Sequence, residues 1–94
     1  MFGLTAQIRR AAVSIPANIS EGACRGGNRS FANFLRIAIG SAGELGYYLI
    51  LASDLKWIPA SETKRLGADV TEVKMVISGL LKAVVAKLRT DPEN

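Results

Sequence analysis

The sequence predicts an all-α fold: an antiparallel up-down helical bundle of about three helices, with residues 1–94 as one domain. Three observations point there. Apolar residues recur at three- and four-residue spacings in three long stretches, no segment sustains period-two alternation, and glycine or proline separates the stretches.

Helix one is expected over residues 5–22, with Thr5 as N-cap because its hydroxyl can accept an amide of the first turn. Ile8, Ala12, Ile15 and Ile19 form one stripe, and Pro16 inside it predicts a kink without loss of the helix. Gly22 and then Gly26, Gly27 and Asn28 end the helix and make the turn.

Helix two is expected over residues 30–56, with Phe31, Phe34, Ala38, Ser41, Leu45, Tyr48 and Ala52 on one seam. Ile37, Ile39, Leu49, Ile50, Leu51 and Leu55 make its other faces apolar too, the pattern of a helix covered on more than one side. Gly40, Gly43 and Gly46 each cost roughly 1 kcal/mol of helix propensity relative to alanine, so a close approach by a neighbour is expected there. Trp57, Ile58 and Pro59 break the pattern. Pro59 or Ser61 opens helix three, expected over residues 60–89, with Leu66, Val70, Val73, Ile77, Leu80 or Leu81, Val84 and Leu88 inward. The polar end, Thr90 to Asn94, is expected to fray.

With 49% hydrophobic residues and only 94 positions, the chain sits near the lower limit for a self-sufficient core, so association with further copies is expected to complete it. One cysteine, Cys24, and no histidine leave no intrachain disulfide and no thiol–imidazole pair, which fits a reducing, cytoplasmic setting. The opening residues show no signal-peptide pattern. The apolar run from Ile37 to Ser53 falls short of the roughly 20 residues of a membrane span and contains Glu44, so no membrane role is expected.

The net charge is +4, and its placement says more than its size. Arg9, Arg10, Arg25, Arg29 and Arg36 against Glu21 place the whole surplus in the first 36 residues. In an antiparallel bundle, facing residues have numbers totalling about 52 across the first hairpin and about 116 across the second. Arg25, Arg29, Arg36, Lys82, Lys87 and Arg89 then gather at one pole against Glu21, with Asp91 and Glu93 on the tail. This pole is the candidate nucleic-acid-binding site, and arginine forks suit phosphate. A bland reading competes: a solvated helix end whose lysines and arginines complement the C-terminal dipole of helix three.

No catalytic constellation, metal site or cofactor motif emerges. The stretch Gly22 to Ser30 lacks the lysine and spacing of a phosphate-binding loop. Glu44 lies level with Arg9 or Arg10, so a buried or half-buried structural ion pair is expected rather than a general base. Cys24 reads as a small turn residue, and Trp57, Tyr47 and Tyr48 as core or subunit-interface residues rather than base-stacking platforms.

From Leu4 to Gly22 the chain reads LTAQIRRAAVSIPANISEG, followed by Arg25 and by SFANFLRIAIGSAGEL from Ser30 to Leu45. These stretches resemble the bacterial four-helix-bundle family encoded by intervening sequences in 23S ribosomal RNA genes; accessory proteins of diversity-generating retroelements resemble the same family. The resemblance implies an antiparallel four-helix bundle, a homo-oligomeric ring, typically a pentamer, and no established enzymatic activity. It also implies that the retroelement members are basic and associated with nucleic acid and with reverse transcriptase. The family normally has another amphipathic helix before the Gly3-Leu4-Thr5 segment, which is not seen here, and Ala23 stands where an aromatic residue is common. The function expected is a non-enzymatic, oligomeric adaptor contacting RNA or DNA; the alternative is a protein-protein interaction scaffold without nucleic acid.

Overall fold

In a computed structural model, which describes residues 2–91, the chain forms three helices: α1 Phe2–Arg25, α2 Asn28–Asp54 and α3 Ala60–Thr90. The up-down antiparallel order follows from the short turns between them. At the first turn, Gly26 and Gly27 take φ of 76° and 85°, a left-handed conformation that costs other residues roughly 1–2 kcal/mol. Helix α1 thus ends at the glycine pair, and Gly22 is interior to it. Thr5 is likewise interior, because the helix already includes Gly3 and Leu4. The helix runs through Pro16.

The second turn closes α2 with a Schellman-type cap. The Lys56 amide donates to the Ser53 carbonyl and the Trp57 amide to the Ala52 carbonyl, each at 2.9 Å. Lys56 takes φ 61° at the position that glycine usually fills. Pro59, extended at φ −62° and ψ 149°, then opens α3, and its carbonyl accepts the Thr63 amide at 3.1 Å. In the first turns of α3, Arg65 Nε donates to Glu62 Oε2 at 2.8 Å. That hydrogen bond, aided by the guanidinium charge, holds the exposed Glu62 carboxyl below its ordinary range.

Packing is centred on α2. Both α1 and α3 pack along it, while their backbones do not approach one another. Fully buried Leu35 lies among Ala32, Ala38, Ile77 and Val84, surrounded by Ile15, Ile19, Phe31, Ile39, Leu81, Val85 and Leu88. This settles the inward position on α3 as Leu81, since Leu80 is 40% exposed. On α2 the buried positions are Ala32, Leu35, Ala38, Ser41, Ala42, Leu49 and Ala52. Of the expected seam, Ala38, Ser41 and Ala52 are buried and Phe31, Phe34, Leu45 and Tyr48 half-buried, because α2 turns one stripe to α1 and an adjacent stripe to α3. It is also the one described helix with the length and hydropathy of a membrane span. Here its most deeply buried side chains form the bundle core.

Register along the α1–α2 seam is fixed by a polar layer. Ser14 and buried Ser41 hydrogen-bond through their hydroxyls at 2.7 Å, and Asn18 Nδ2 donates to the Ser14 carbonyl and hydroxyl at 2.8 and 2.9 Å. On the second hairpin, a methyl at Gly46 would lie 3.7 Å from Val70. These contacts match the heights expected from the residue numbers, with α1 about one turn offset at most.

Close approach occurs at a different glycine from the ones expected. A methyl at Gly40 or Gly43 would meet nothing within 4 Å, whereas one at Gly22 would lie 2.7 Å from Phe34 Cβ and 3.0 Å from the Phe31 ring. Gly22→Ala should therefore destabilise the fold by about 1–3 kcal/mol by overpacking the first hairpin. Lys56→Gly should stabilise it by about 1 kcal/mol by relieving the left-handed residue. Chemical denaturation followed by circular dichroism checks both; equal midpoints for wild type and variants would contradict the two local geometries.

Candidate functional site

The end of α1, the start of α2 and the end of α3 meet at one pole, so the six basic residues expected there lie at matching heights. Arg25, Arg29, Arg36, Lys82, Lys87 and Arg89 are all exposed. Their azimuths differ, and this divides the set. Arg29 and Arg36 are seven residues apart on α2, as are Lys82 and Arg89 on α3, so each pair occupies one helix face over two turns, about 10.5 Å.

Both pairs border the same seam. Gly43 and Ile50 of α2, and Thr71 of α3, line a cleft on the outer α2–α3 face. Arg36 lies seven residues before Gly43, and Lys82 eleven after Thr71, both helical repeats that preserve the face. Arg29, Arg36, Lys82 and Arg89 thus form a four-cornered basic face. Arg25 belongs to the α1–α2 side: its Nε donates to Glu21 Oε2 at 2.7 Å and its guanidinium lies 5.3 Å above the Phe34 ring. Lys87 lies eleven residues after Val76, on the flank of α3 that borders the opposite groove.

Within the basic face, Arg29 sits at an unfavourable helix end for positive charge. Arg29 is in the first turn of α2, which holds no acidic residue and whose cap residue, Gly27, supplies no side-chain acceptor. The positive end of the helix dipole and the guanidinium therefore reinforce one another. Arg36 Nη1 donates to Asn33 Oδ1 at 3.2 Å, a neutral partner that leaves the charge uncompensated. Lys87 and Arg89, by contrast, complement the last turn of α3. The acids near the pole are Glu21 and Asp91; Glu93 lies outside the described residues.

Glu44 does not form the buried pair expected of it. Its matched height is real, since Glu44 and Arg10 line one small cleft on the α1–α2 seam with Gln7, Ala11, Ser14, Ser41 and Tyr48. Both side chains are nevertheless exposed, and the Arg10 guanidinium donates to Gln7 Oε1 instead. Arg9 is exposed and does not line that cleft. The polar contact buried between α1 and α2 is the serine pair, and the charges remain at the rim where hydration is retained.

Between α1 and α3, on the other face, runs an open apolar groove. Ile8, Ile15, Leu45, Leu49, Leu66, Val70 and Val73 line one part of it. Ile19, Val76 and Ile77 continue it beside Asp69 and Glu72. Among the aromatics, Tyr47 is 62% exposed and meets Tyr48 edge-on at 5.8 Å, while Trp57 is half-buried in the second turn. Cys24 is a free, exposed thiol near the end of α1. The Gly22 to Ser30 stretch is helix, two-residue turn and helix, a geometry that encloses no nucleotide cradle.

Sequence spacing contained both seven-residue pairs, yet their shared face became visible only once α3 was placed against α2. Because the Glu44 and Arg10 carboxylate and guanidinium are exposed and unpaired with one another, Glu44→Ala and Arg10→Ala should each change unfolding free energy by no more than about 0.5 kcal/mol. A loss of several kcal/mol in either variant, measured by denaturant titration, would restore the buried pair.

The comparisons with known proteins agree with this architecture. A protein of unknown function from Bacteroides thetaiotaomicron, described as belonging to the S23 ribosomal protein family and solved at 1.70 Å, superposes with a TM-score of 0.83 at 30% identity. The match covers 87% of this chain and 76% of that one. No curated protein matches. The family described as 23S rRNA-intervening sequence protein matches over residues 1–79, which include the first hairpin, the serine layer and most of α3, and the chain belongs to that family.

Proposed function

We propose that this chain is a non-enzymatic, oligomeric helical-bundle protein that binds nucleic acid through its basic pole. The observation that carries the reading is the face formed by Arg29, Arg36, Lys82 and Arg89, with Arg29 at the positive end of α2's dipole and no acidic residue in that first turn. Such an arrangement favours phosphate. Arg25 and Lys87 widen the positive field around this face. Assembly repeats the face in every subunit, and a ring of five is the stoichiometry that the family resemblance implies.

Assembly has its own support. Val13, Ile37, Ile50, Met75 and Val76 are each at least half exposed, and the groove between α1 and α3 adds a continuous apolar surface. Patches of this kind mark protein contacts. We assign the apolar character of α2 to such contacts and to the core, not to a membrane, and place the protein in the cytoplasm.

The groove also favours a second reading, a scaffold that receives partner helices without touching nucleic acid. Purification without nuclease separates the two. The pole reading expects an elevated absorbance ratio that nuclease or high salt removes, and the scaffold reading expects a protein free of nucleic acid at every salt concentration. Light scattering at micromolar concentration should report an oligomer; a stable monomer would overturn the assembly, and a dimer or tetramer only the ring of five.

A further inference from the structure

The four-cornered face has a definite geometry, and that geometry selects among nucleic acids. Arg29 and Arg36 stand about 10.5 Å apart along α2, and Lys82 and Arg89 the same distance apart along α3. The two axes are separated by about 8–10 Å, the ordinary spacing of packed helices. Between the corners lie core residues: Ala32 at 1% and Leu35 at 0% exposure on α2, and Val84 at 5% on α3. The cations are therefore carried by helix segments that are packed against one another.

We propose that the nucleic acid held by this face is double-stranded and is gripped by its sugar–phosphate backbone, an inference that rests on the reading of the pole as a nucleic-acid site. A duplex is a stiff polyanion, so its phosphates meet cations carried on packed helices and the ordering cost falls on the four side chains alone. Three arginines and one lysine supply forked and point contacts to phosphate oxygens. A flexible single strand, in contrast, gains much of its affinity by stacking bases on aromatic rings.

The rings near this face are not available for stacking. Phe31 and Phe34 are half-buried against α1, and Arg25 covers the Phe34 ring. Tyr47 is the exposed ring on the same side of α2, eleven residues and about 16.5 Å beyond Arg36, and it is engaged edge-on with Tyr48. Trp57 lies at the opposite pole. None of the clefts described above is lined by the four basic residues.

The test compares, at low salt, the binding of the full chain to a 20-base-pair duplex and to each of its separated strands, using DNA and RNA versions and fluorescence anisotropy. Duplex of either sugar should bind at least about tenfold more tightly than its strands, since stacking adds nothing to the latter. With four phosphate contacts the slope of log affinity against log salt should be about −3.6 per engaged subunit, and Arg29→Gln with Arg36→Gln should reduce its magnitude by about 1.8. Tyr47→Ala should leave duplex affinity unchanged, and the helical circular dichroism of both variants should match wild type. Equal or tighter binding of single strands, or a loss caused by Tyr47→Ala, would overturn the duplex inference while leaving the pole a nucleic-acid site. Failure of every probe to bind at low salt would overturn the underlying reading as well.

Discussion

Because α1 and α3 each pack on α2 and their backbones do not approach one another, the molecule depends on one helix burying two stripes at once. Small residues make this feasible. Ala32, Ala38, Ala42 and Ala52 are buried along α2 and let its neighbours approach, while Leu35 fills the space where the core is deepest. The large apolar side chains that α2 also carries, Ile37, Tyr47 and Ile50, are left facing outward. A helix that serves two neighbours and still exposes apolar surface explains the order of this fold and is the basis of the proposed association.

The extents of 49 × 22 × 13 Å describe the result. The shortest dimension, taken over Cα atoms, exceeds the roughly 4.6 Å of one helix's Cα cylinder, as in a curved layer with α1 and α3 inclined about α2. The radius of gyration is 15.3 Å, against about 12–13 Å for a compact chain of similar length. Such a layer has two broad faces and little interior. One face presents the groove between α1 and α3, the other the α2–α3 seam with the basic quartet at its end. The groove and the quartet thereby lie on different faces, while exposed Ile50 and Met75 stand farther along the quartet's own face.

What was legible in the sequence was mainly longitudinal. Period and punctuation placed three helices and their turns, and residue numbers placed contacts by height: Ser14 does meet Ser41, and Arg10 does share a cleft with Glu44. Azimuth was the missing coordinate. An antiparallel hairpin fixes how far along an axis two residues lie but not the angle at which each projects from it, and this is why an expected buried ion pair stands exposed at the rim. It is also why six basic residues read as one cluster divide into a quartet and two outliers. Local conformational exceptions were hidden for another reason. Lys56 occupies a left-handed position that tertiary closure imposes against its own preference, and Gly22 is required by a neighbour, Phe34, that local pattern does not reveal.

The two-seam arrangement also bears on how the chain acquires its shape. Each seam joins elements adjacent in sequence and linked by a short turn, and no backbone contact between first and last helix has to be found across the length of the molecule. The loop-closure entropy faced before favourable contact begins is therefore small, which places the subunit among low-contact-order topologies that fold in microseconds to milliseconds. Under the proposed assembly, the concentration-dependent meeting of subunits is the slower step.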